Sequence, residues 1–137
     1  MQRLFIHLYL FVLLFTILHW FVSCTNKVTC HELYGRWTTN EGQEFVFQKD
    51  GKALWLTRFG SQFDTVLFSY YLNCKAEPAT FDLLHFQTGP YVGKTLFGIL
   101  EWTSDTSFRL QYEPGTDEWA RPKEFDNEGA MKFFPVK

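Results

Sequence analysis

The sequence predicts an all-β chain: an eight-stranded up-and-down antiparallel barrel with a short N-terminal helical turn. Three observations predict it. After residue 35 no segment repeats apolar residues at a helical period. Short runs rich in Phe, Tyr, Trp, Val, Ile and Thr recur instead, divided by Gly, Pro, Asn and Asp at regular intervals. Sequential strands joined by short turns leave two sticky sheet edges, which closure into a barrel removes.

The elements follow in order. Arg36–Thr39 is the first strand, ended by Asn40-Glu41-Gly42. Glu44–Gln48 alternates Phe45 and Phe47 against Glu44, Val46 and Gln48. Lys49-Asp50-Gly51-Lys52 is a hairpin signal, because Asp-Gly readily supplies the positive φ angles of a tight turn. Ala53–Phe59 and Phe63–Leu72 are parted by Gly60-Ser61-Gln62, and Asn73–Pro78 breaks the chain before Ala79–Gln87. Gly89-Pro90 and Gly93 set the turn to Thr95–Trp102, and Ser104-Asp105 leads into Ser107–Tyr112. A longer loop from Glu113 to about Glu128 precedes the eighth strand, Ala130–Val136. Cys30–Tyr34 is expected to form the helical turn, plugging one end.

Ahead of this domain, Leu4–Val22 carries no Asp, Glu, Lys or Arg; Arg3 precedes it and Ser23-Cys24 closes it. A basic start, an apolar run and a small-residue exit form the layout of a secretory signal. The Ser-Cys ending resembles the lipobox of bacterial lipoproteins, whose cysteine receives lipid and becomes the mature N-terminus. Residues 1–24 are therefore expected to be a leader, with Cys24 lipidated and residues 25–137 tethered to a membrane of the bacterial cell envelope. Two alternatives stay open. One is ordinary cleavage with release of a secreted or periplasmic domain. The other is an uncleaved anchor, since the run approaches the ~20 residues that cross a bilayer. All three place the domain outside the cytoplasm.

Charge and cysteines narrow the partners. Of 13 basic and 15 acidic residues only Arg3 lies in the leader, so the domain carries a formal charge of −3. No basic run is present, and nucleic acid is not expected. With Cys24 lipidated, Cys30 and Cys74 remain as a disulfide pair in an oxidising compartment, or as two separate buried thiols. No CxxC or HxxxH spacing indicates zinc, and no metal or cofactor is expected.

Leu33-Tyr34-Gly35-Arg36-Trp37 contains an LxGxW pattern where the first strand begins. Later come Thr88-Gly89-Pro90-Tyr91-Val92-Gly93-Lys94-Thr95, Gly98-Ile99-Leu100-Glu101 and Arg121-Pro122-Lys123-Glu124-Phe125. This series resembles a lipocalin-like domain found in planctomycetes and other bacteria, itself without an assigned function, over residues 29–137. The resemblance implies a barrel with structural roles for Gly35, Trp37 and Arg121. Gly35 would permit a close approach beneath Trp37, Trp37 would cap the floor, and Arg121 or Arg109 would stack across it.

No GxSxG, HExxH or P-loop pattern is present, so the chain is expected not to be an enzyme. His31 precedes the barrel and His85 lies mid-strand, neither with a motif-supplied partner. Asp64, Asp82 and Glu101 fall in strands; facing inward they need partners such as Arg58 or Arg109, and facing outward they are solvated. An eight-stranded barrel is wide enough for side chains to fill it or for one small ligand. A pocket would be lined by Phe45, Phe47, Leu54, Leu56, Phe81 and Leu83 or their opposite-face neighbours, with Tyr70, Tyr71, Tyr91 and Trp119 at the rim. The expected function is binding of a small apolar or amphipathic ligand. The alternative is a filled barrel that contacts an envelope or secreted protein, as an inhibitor or assembly factor.

Overall fold

The computed structural model describes residues 31–59 and 62–136, without the side chains of residues 58, 59, 62 and 63. The leader, Cys24 and Cys30 lie outside the described residues. Eight antiparallel strands close into a barrel in chain order: β1 Gly35–Thr39, β2 Glu44–Phe47, β3 Lys52–Phe59, β4 Gln62–Asn73, β5 Ala79–Leu84, β6 Thr95–Ser104, β7 Ser107–Gly115 and β8 Met131–Pro135. β8 pairs with β1 through Trp37↔Pro135, Thr38↔Phe134 and Thr39↔Phe133, so no sheet edge is left open.

Local chemistry accounts for the turns. Gly51 takes φ +80° in the β2–β3 hairpin, while Asp50 accepts from Lys52 N at 3.1 Å. Gly42 takes φ +77° in the β1–β2 turn, where Gln43 N donates to Thr39 Oγ1 at 3.2 Å. His31–Tyr34 run without regular structure into β1 instead of forming the expected helical turn. The one short helix among the described residues is a 3-10 turn at Glu118–Ala120. Asp117 caps that turn by accepting from Trp119 N.

Rings fill the interior. Phe45, Phe47, Phe68, Phe81, Phe108 and Phe133 are fully buried, with Leu83, Leu96, Leu100 and Leu110 between them. Phe108 and Phe133 stack at 4.6 Å, and Phe45 meets Phe133 edge-on at 5.1 Å. Burying each such ring contributes about 1.5–3 kcal/mol, so a hollow lumen would forfeit most of the domain's stability. At β6, Gly98 leaves the room that the crowded wall needs: a Cβ there would lie 2.5 Å from the Phe81 carbonyl oxygen.

The register corrects one expectation. Phe45 pairs with Trp55 and Phe47 with Ala53, and directly paired residues share a face. Ala53 and Trp55 therefore point inward, while Leu54 and Leu56, opposite Val46 and Glu44, lie half-buried on the outer face. Of the six predicted pocket residues, Phe45, Phe47, Phe81 and Leu83 belong to the core and Leu54 and Leu56 do not.

Candidate functional site

The two barrel ends differ. At the floor, Trp37 is buried and donates from Nε1 to the Leu33 carbonyl at 2.7 Å. Its ring meets Trp102 at 5.9 Å and Phe108 at 4.8 Å, and His31 packs on the Trp102 edge at 5.0 Å. Gly35 takes φ +128°, a conformation that requires glycine; the nearest atom to a Cβ there, Trp37 Nε1, is at an ordinary 4.0 Å. Its role is thus a dihedral and not the expected close approach.

Neither Arg121 nor Arg109 stacks on Trp37. Arg121 forms a fork with Asp82, Nη1 to Oδ1 at 2.5 Å and Nη2 to Oδ2 at 3.0 Å, and donates to the Gly98 carbonyl at 2.7 Å. Asp82 alternates with buried Phe81 and Leu83, so it faces outward, and Arg121 ties the long β7–β8 loop across β5 and β6. Arg109 Nε donates to Glu101 at 2.6 Å and its guanidinium lies 4.1 Å above the Phe125 ring. Asp64 is exposed.

At the mouth, β5 ends at Leu84, three residues short of the expected strand. His85, exposed and at φ +57°, bends the chain back over the opening. The following segment, residues 85–94, folds down as a lid. Phe86 is buried and stacks on Phe68 at 5.2 Å, and Tyr91 lies parallel to Trp55 at 6.1 Å and 11°. Gln87 N donates to the Leu67 carbonyl at 3.0 Å, and positive φ angles at Gly89 and Gly93 shape the remaining turns.

At this end of the barrel two buried polar atoms have no hydrogen-bond partner: the donor Trp55 Nε1, under the lid, and the acceptor Gln43 Oε1, beside the β1–β2 turn. Trp55 is held between Phe45 at 5.0 Å and Tyr91. Gln43 extends the β1–β2 ladder, its carbonyl accepting from Thr39 N at 2.8 Å, one step nearer the mouth than Phe45. Each orphan costs about 1–3 kcal/mol, so such atoms call for a reason beyond folding. Burial holds the Tyr112 phenol well above its ordinary pKa, with Tyr91, Glu41 and Glu113 adding to the shift. Those two carboxylates give the mouth an acidic rim.

Among the described residues no group of three or more His, Cys, Asp and Glu side chains could hold a metal ion. His85 lies on the lid surface and His31 at the floor, so the two histidines sit at opposite ends. Cys74 is disulfide-bonded; the other cysteines of the chain are Cys24 and Cys30. Two open grooves, of about 760 and 320 Å³, lie along the floor end and beside the 3-10 turn. The lid shows in the strand pattern only as a phase slip: Phe81 and Leu83 are buried at odd positions, whereas His85 is exposed and Phe86 is buried. No known family model, curated protein or solved structure matches this chain.

Proposed function

We propose that the chain is a non-enzymatic, lipocalin-like binding protein of the bacterial cell envelope. Lipid on Cys24 holds it to a membrane, and its lidded mouth takes one small, flat, uncharged molecule. The observation that carries this reading is the buried, unpartnered donor Trp55 Nε1 under a tyrosine ring stacked on Trp55, with a second orphan, the acceptor Gln43 Oε1, at the same end of the barrel. The lumen below Phe45 is packed with rings, so the ligand takes the space now held by the Tyr91 ring. A planar molecule of that size restores the stacking and satisfies both orphan atoms. Glu41 and Glu113 at the rim disfavour a carboxylate, which separates this ligand class from fatty acids. No cofactor takes part.

A protein-interaction role, as inhibitor or assembly factor, rests on a different observation: Trp119 stands 88% exposed on a rigid turn. Exposed tryptophans of this kind anchor partner proteins.

Non-denaturing mass spectrometry of the full chain isolated from membranes tests the first reading. The expected species begins at a lipid-bearing Cys24 and carries a small-molecule adduct. Tyr91→Ala raises adduct occupancy, and Gln43→Ala combined with Trp55→Phe abolishes it. An adduct-free protein, with and without Tyr91, overturns ligand binding; an unlipidated N-terminus overturns the tether.

A further inference from the structure

The two outer grooves share Glu77, Pro78 and Lys123, so they meet and form one trough. It runs from the floor end, beside Trp102 and Phe125, past the β4–β5 loop to Trp119 on the 3-10 turn. The mouth site and its lid contribute nothing to it.

Its walls are fixed before any partner arrives. Cys74, which is disulfide-bonded, opens the loop that carries Glu77 and Pro78. Arg121, forked onto Asp82, holds the opposite wall against β5 and β6. Asp117 caps the turn that presents Trp119. A surface built this way loses little conformational freedom on binding.

Its unpaired charges are mostly negative. Glu101 is already paired with Arg109, and Arg121 with Asp82. Removing those pairs leaves four exposed carboxylates, Glu77, Asp105, Glu118 and Glu124, against Lys123 alone. Between them Trp102 lines the trough with a half-buried ring. Trp119 offers a whole exposed ring. An elongated trough with excess negative charge and aromatic ground at both ends fits an extended polypeptide. Its lysines or arginines meet the carboxylates, and an apolar side chain covers Trp119.

We infer that this trough is a docking site for an extended basic segment of a partner protein. The two end rings and four carboxylates supply specificity, and long-range attraction to the acidic walls speeds encounter.

Fluorescence anisotropy on the full chain in mild detergent tests it. The probe is a fluorescein-labelled peptide of alternating lysine, proline and leucine, with a glutamate-for-lysine peptide as control. The lysine peptide is expected to bind about tenfold or more tighter than the control. The charge reversal Glu77→Lys with Glu118→Lys weakens it by a similar factor, and Trp119→Ala by about fivefold. All three positions are exposed, so the thermal midpoint stays within a degree or two and a fallen midpoint disqualifies a variant. Equal affinities for the two peptides, an absence of saturable binding, or indifference to both variants each overturns the docking site. Because Gln43, Trp55 and Tyr91 are untouched, small-molecule occupancy of the mouth is unchanged in every case.

Discussion

Tyr112 carries the clearest solution signature of a single side chain. It faces the interior opposite Gly98, and burial resists its ionisation. An unfolded phenol ionises near its ordinary pKa of 10.0, while the native one keeps its proton to higher pH. Above that value the native state binds more protons than the unfolded state, so stability falls as pH rises. Tyr70 is shifted the same way, first by burial and then by Asp50. Thermal midpoints measured from pH 8 to pH 11 are expected to drop at the alkaline end, and less steeply in Tyr112→Phe. Parallel curves for the two proteins would contradict the assignment. Trp55 and Gln43 stand apart from these tyrosines: they carry an unmet cost at the mouth, where every neighbouring ring is well packed.

Between elements, one ion pair outweighs the rest. Arg36–Glu44 and Arg109–Glu101 link neighbouring strands in solvent and contribute at most about 1 kcal/mol each. Arg121–Asp82 is different, because its two side chains are only 17% and 15% exposed and the link ties the long loop to β5. Arg121→Met is expected to cost about 2 kcal/mol, between the surface and buried cases, and to free the loop. Urea denaturation measures the first, and amide exchange over residues 116–125 the second; an unchanged exchange pattern would deny Arg121 its anchoring role. The strands themselves were readable, since turn residues bracket each one and inward Phe and Leu alternate with outward polar groups. Phase was unreadable in β3, where Ala53-Leu54-Trp55-Leu56 is apolar on both faces; only the pairing of Phe45 with Trp55 decides it. β7 runs past its expected end at Tyr112 because β6 pairs with it as far as Thr95↔Gly115, whereas β8 pairs only with Phe108–Leu110. Pro114 therefore has no ladder partner on its far side, and its missing N–H costs nothing there. The lid, the Arg121 fork and the trough depend on loops meeting across the barrel, and spacing along the chain carries no trace of such meetings.

For the whole molecule, stability is divided between the packed rings and the Cys74 bridge. A domain of this size keeps a marginal balance between burial and chain entropy, and a cross-link shifts it by constraining the unfolded chain. Cys74→Ser is expected to lower unfolding free energy by about 2–5 kcal/mol while leaving the barrel fold intact. Circular dichroism with chemical denaturation checks both, and an unchanged midpoint would show the bridge to be idle. The seam where β8 meets β1 carries a further consequence. Three register pairs join the two ends of the domain, and β8 contributes five residues in all. A chain made N-terminus first cannot close the barrel before β8 is available to pair with β1, and until then the sheet has two live edges. This five-residue strand is thus the latch of the assembly. Losing it would convert a sealed barrel into a template for pairing with other copies of the chain.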